Sequence, residues 1–151
     1  MFDSINYIRC VRIPTLLFIY SYIGKTTNLA LNIFRIEQEK LDENARDVGN
    51  FFIKEIGENL RTIYPEVIDG IQGMGCMLGI RLKNACDIPR FSRNSTQSSS
   101  IQFVSMLHDL GVLTVPAGEN IVRLLPPLNL QKNEMIKALN QIEQACKISM
   151  I

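Results

Sequence analysis

Tryptophan is absent from this chain of 151 residues, histidine occurs once, and aromatic residues make up 7% of the sequence. A single histidine, His108, leaves little material for imidazole-based metal ligation or proton relay. The four cysteines, Cys10, Cys76, Cys86 and Cys146, include no CxxC pair and no neighbouring histidine, so no metal site is expected from them. They read instead as buried, reduced thiols. An excess of one charge is also missing, since 16 Lys+Arg stand against 15 Asp+Glu for a net charge of +1. Without a broad basic field to release counterions, nucleic acid is not an expected partner. The longest apolar block, Ile13 to Ile23, falls short of the roughly 20 residues needed to span a bilayer, and no small-x-small cleavage site follows it. A buried strand or an interface segment, a cytoplasmic location and no membrane partner are the expectations.

What the chain does have is a globular balance of 46% hydrophobic and 21% charged residues. That composition excludes wholesale disorder, and the length suits one domain rather than a two-domain enzyme. Leu41, Ala45, Val48, Phe52, Ile56, Leu60 and Ile63 recur every three or four residues and predict a long amphipathic helix ended by Tyr64-Pro65. A shorter helix is expected from about Asn28 to Glu39, with Leu29, Ile33 and Ile36 on one side and a link near Lys40. From Val67 to Leu82 the period changes to alternation, with glycines at 70, 73, 75 and 79, which predicts two strands meeting at a tight turn.

The polar run Ser92–Ser100 reads as a mobile loop, in which Ser98 or Ser99 caps a helix reaching Leu110, with Gly111 at its C′ position. Strands are expected at Val112–Val115 and Ile121–Leu125, around the turn 116–120 and before Pro126-Pro127. A last helix buries Met135, Leu139, Ile142 and Cys146 and exposes Lys132, Lys137 and Lys147. The fold class that results is α+β, a two-layer α/β sandwich in which a small mixed sheet is covered by helices.

Two glycine motifs are weak. Gly24-Lys25-Thr26 copies the end of a phosphate-binding loop, but the glycine that the motif requires five residues earlier is Ile19. Gly73-Met74-Gly75 is a fragment of GxGxxG followed by a strand pattern instead of a helix, so the glycines read as hairpin and close-packing positions. His108 shares the polar side of its helix with Ser105 and Asp109 and reads as a solvated residue with nothing beside it to orient the ring. Arg123 stands out. It interrupts the apolar strand Ile121-Val122-Arg123-Leu124-Leu125, where burial is expected and a planar fork of donors suits a carboxylate. An internal salt bridge, a solvent-facing edge position and a ligand contact all fit that pattern.

The segment Val112–Leu128 closely resembles the C-terminal segment of acetylornithine aminotransferases, class III pyridoxal-phosphate transaminases. Two further stretches are similar to the family in the same order: Leu41–Gly49 to the long helix of its small domain, and Gly73–Ile80 to its glycine-marked strand pair. The resemblance spans about Ala30 to Lys147 and implies a small domain covering 30–151, preceded by a divergent segment, 1–29. It also implies that Arg123 binds the α-carboxylate of an amino-acid substrate. The implied parent reaction moves an amino group between N-acetylornithine and 2-oxoglutarate, as in arginine biosynthesis, on pyridoxal phosphate held by a homodimeric enzyme. Departures are large, because none of the seven lysines stands in the family's Schiff-base motif and the large domain that supplies it does not appear in these residues. No catalytic or cofactor-binding residue is assigned, and the expectation is a fragment that does not hold the cofactor tightly or transaminate alone. The alternative is a non-catalytic remnant that associates with itself.

Overall fold

The computed structural model describes residues 26–91 and 96–151. The chain divides between Lys40 and Leu41 into two units. The first contributes one described element, α1 (Thr26–Gln38), on which Arg35 and Glu39 pair at 3.3 Å and Ile33, Phe34 and Ile36 are exposed. Lys40 ends this stretch with φ 49°, a left-handed conformation that interrupts helical winding. The expected break thus falls where the sequence placed it. The apolar block 13–23, Gly24-Lys25 and Cys10 lie outside the described residues.

The second unit begins with a rod made of α2 (Leu41–Lys54), a π-helical stretch (Glu55–Leu60) and α3 (Arg61–Ile63). The π winding has a cause in the sequence. Phe52, Ile56, Leu60 and Tyr64 are spaced four apart, a spacing that drifts by about 40° per step at the 100° per residue of an α-helix. Wider i→i+5 winding slows that rotation and keeps all four side chains buried. It also turns Ile63, expected on the buried stripe, out to 60% exposure.

After the rod come β1 (Ile68–Met74), β2 (Met77–Leu82), α4 (Ser99–Asp109), β3 (Val115–Pro116), β4 (Ile121–Leu124) and α5 (Lys132–Ser149). The sheet order is β1-β2-β4-β3 with every neighbour antiparallel. The α+β two-layer class is therefore correct, while the sheet is antiparallel rather than mixed. Short returns explain two of the three pairings: two residues join β1 to β2 and four, 117–120, join β3 to β4, too few for a parallel crossover. At the first return Gly73 and Gly75 take φ of 127° and 54°, and a Cβ on Gly49 of α2 would stand 2.6 Å from the Gly75 carbonyl. Helix and hairpin tip meet backbone to backbone there, which only glycine allows.

One face of the sheet makes the core. Leu78, Ile80 and Leu82 of β2 and Val122 and Leu124 of β4 bury against Val48 and Phe52 of α2, Phe103 and Leu107 of α4, and Ile142 of α5. The helices begin on side-chain caps: Ser98 accepts from the Ile101 N–H at 3.4 Å, and the Gln131 N–H donates to Glu134 Oε2 at 3.0 Å. Gly111, at φ 84°, follows α4 as expected.

Three expectations need correction. Ser99 and Ser100 are buried in the first turn of α4 instead of belonging to a solvated loop. The strand foreseen over 112–115 shrinks to Val115–Pro116, because the carbonyl of Thr114 is engaged by His108 Nε2 at 2.8 Å rather than by β4. Of the described cysteines, all free, only Cys146 is buried, while Cys76 is half-buried at the hairpin tip and Cys86 is exposed.

Candidate functional site

Strand β4 alternates, sending Val122 and Leu124 into the core and Arg123 to the opposite, open face of the sheet. Arg123 is exposed, contrary to the burial that its apolar neighbours suggested, and it sits on an inner strand rather than an edge. Flanking apolar residues misled the reading because alternate positions of one strand face opposite sides. Register places Arg123 opposite Gly79 of β2 and Val115 of β3, and Gly79 opposite Gln72 of β1. A single row, Gln72-Gly79-Arg123-Val115, therefore crosses the sheet.

Glycine in that row matters. A Cβ at Gly79 would come within 3.1 Å of Ile121 Cγ2 and 3.8 Å of Gln72 Cγ, so the absence of a side chain leaves a floor beside the arginine. An open cavity of about 230 Å³ lies over this floor, bordered by Gln72, Met77, Ala117, Ile121, Leu125 and Arg123. Among the described residues Arg123 is the only charged group on its border. Among the described residues it has no hydrogen-bond or ion-pair partner, and its five fixed donors face an unneutralised site suited to a planar carboxylate.

The other cation of this face is already engaged. Arg81 lies over Gly70, towards the β1 edge, and pairs with Asp69, which also takes Lys83 Nζ at 2.9 Å. Hydrogen bonds from Lys83 and then Arg81 hold the Asp69 carboxyl below the usual carboxylate range. Among the described residues, Arg123 is thus the cation of this face that remains for a ligand. His108, read from sequence as solvated, is exposed but oriented: its Nε2 meets the Thr114 carbonyl at 2.8 Å and lies 3.3 Å from the Thr114 nitrogen. The partner was invisible in sequence because the turn at Gly111 brings it back to the helix.

The residue lining does not suit covalent attachment of an aldehyde cofactor. No lysine and no carboxylate borders the cavity. Among the described lysines, Lys83 and Lys147 are held in ion pairs and Lys54, Lys132 and Lys137 lie exposed on helix surfaces. No group of three His, Cys, Asp or Glu side chains able to hold a metal occurs among the described residues, and no described helix is long and apolar enough to cross a membrane.

The signature of aminotransferase class-III matches residues 26–146. The chain belongs to this family. An acetylornithine aminotransferase 2 of Caulobacter vibrioides is 33% identical over 125 residues, covering 83% of this chain and 26% of that protein. An acetylornithine aminotransferase of Bacillus subtilis is 33% identical over 103 residues, 68% of this chain and 22% of its own length. Among solved structures, the acetylornithine aminotransferase of Elizabethkingia anophelis superposes with a TM-score of 0.63 at 26% identity, over 75% of this chain and 25% of that one. The chain therefore spans about a quarter of the length of these relatives. The class-III aminotransferases use pyridoxal phosphate.

Proposed function

We propose that residues 30–151 are the C-terminal small domain of an acetylornithine-type aminotransferase, preceded by a divergent segment over 1–29, and that Arg123 receives the carboxylate of the amino-acid substrate. The observation that carries this reading is the Arg123 guanidinium, without a partner among the described residues, over the Gly79 floor and within a segment that closely resembles the family. The parent reaction is amino transfer between N-acetylornithine and 2-oxoglutarate. In this reading pyridoxal phosphate, its lysine and the acid at its ring nitrogen belong to the large domain of the parent enzyme, and residues 30–151 supply the carboxylate contact. Titration of the chain with 2-oxoglutarate, followed by NMR, tests the arginine. Shifts at Arg123 and Gly79 that disappear in Arg123→Ala and weaken in Arg123→Lys are expected; shifts indifferent to Arg123 sink the assignment.

A second reading is favoured by one observation: Met77 and Leu125 on the cavity border, and Met74 next to Met77 in register, are exposed at 72%, 54% and 84%. On this reading the open face serves self-association in a remnant without catalysis. Sedimentation over a hundredfold dilution decides it. Dimers that persist and are lost in Met77→Lys support it, and a monomer throughout removes it.

A further inference from the structure

At both of its ends helix α4 touches the segment 114–119, which carries β3 and runs into the β3–β4 connection. At its start, Ser100 Oγ donates to the Gly118 carbonyl at 2.6 Å, Ser99 Oγ to the Glu119 carbonyl at 3.2 Å, and the Ser100 N–H to that same carbonyl at 3.0 Å. Both serines are buried, at 0% and 1% exposure, so the donor side of these bonds is shielded from water while the acceptor carbonyls lie at the surface. At its end, His108 meets Thr114, whose side-chain hydroxyl is itself buried without a partner. The segment held between these points has little to hold it otherwise. β3 is two residues long and one of them, Pro116, has no N–H to give the ladder. Yet this segment supplies the neighbours of Arg123 on that side, Val115 in register with it and Ala117 on the cavity border.

We infer that α4 is the positioning element of the Arg123 cavity, with Ser100 and His108 as positioning residues that clamp the segment carrying β3 on either side of that strand, at Gly118 and Thr114. Neither residue borders the cavity, so neither acts on a ligand directly. Each restrains the backbone that forms one wall of it. The geometry of the clamp stands by itself; its consequence for a carboxylate rests on the reading of Arg123 given above. A donor on the imidazole reaches the Thr114 carbonyl, and a glutamine amide offers the same donor whereas phenylalanine offers none.

Amide hydrogen exchange on the full chain, paired with 2-oxoglutarate titration, tests this in Ser100→Ala, His108→Phe and His108→Gln. The reporter is the Ala117 N–H, which donates to the Ile121 carbonyl at 2.8 Å, and the control is the Ile68 N–H on the Tyr64 carbonyl at 3.0 Å. Exchange at Ala117 is expected to accelerate about fivefold in Ser100→Ala and His108→Phe, the worth of one neutral hydrogen bond, with Ile68 unchanged and His108→Gln near wild type. Apparent affinity for 2-oxoglutarate should fall by a similar factor. Unchanged exchange at Ala117, or an equal rise at Ile68 that marks general loosening, overturns the clamp. A wild-type chain that ignores 2-oxoglutarate while Ala117 behaves as expected removes the carboxylate role of Arg123 and leaves the clamp intact.

Discussion

The two faces of the four-stranded sheet are built from the same strands and do opposite things. On the inner face Leu78, Ile80, Val122 and Leu124 are sealed beneath helices. On the outer face their immediate neighbours Met77, Gly79 and Arg123 stand open. The inner face obeys packing, where each added or missing methylene is felt. The outer face keeps a cation without a partner among the described residues, a side-chain-free floor and exposed apolar side chains, the combination of features found where a surface meets a ligand or partner.

That contrast breaks most visibly at Phe103, which is fully buried in α4. Phe103→Ala should cost about 3–5 kcal/mol through lost burial and a residual cavity, whereas Met77→Ala on the outer face should change stability by no more than about 0.5 kcal/mol. Urea unfolding midpoints measured side by side check both, and equal losses would erase the distinction between the faces. A smaller loss is expected where helix and hairpin touch. Gly49→Ala drives a methyl into the Gly75 backbone, 2.6 Å from its carbonyl oxygen, and should cost about 1–3 kcal/mol of overpacking, read by thermal unfolding.

Arg123→Ala sharpens the comparison from the other side. With no partner among the described residues to lose, it should leave stability within about 0.5 kcal/mol of wild type and still abolish the response to 2-oxoglutarate. A large destabilisation would instead reveal a structural role. The smallest effect concerns Asp69. Its carboxyl is held below its ordinary value by Lys83 and Arg81, so its contribution is present above the unfolded value and is lost as pH falls through the folded one. Asp69→Asn should flatten that acid limb slightly in pH-dependent unfolding, and added salt should do the same because the pair is exposed to solvent.

The long rod, the β1–β2 hairpin, the cap at Ser98, the glycine stop at 111 and the last helix were legible in the sequence because each rests on local periodicity or turn chemistry. The four-residue spacing of Phe52, Ile56, Leu60 and Tyr64 also carried a signal for π winding, although a plain α-helical reading put Ile63 on the stripe instead. Arg123 was legible as the residue to watch, yet its surroundings were not. Apolar neighbours along a strand do not bury the residue between them when one face is left uncovered.

By itself, the sequence determined the class of the fold, the order of its elements and membership of a transaminase family, since those follow from short-range patterns and from a distinctive run of residues around Arg123. Tertiary structure alone decided that the sheet is antiparallel throughout and that Gly79 opens a floor beside Arg123. It also decided that Ser100 and His108 reach either side of β3, next to that arginine. These are relations between residues about 6 to 44 positions apart, and they exist only once the core has closed and fixed which strand lies against which.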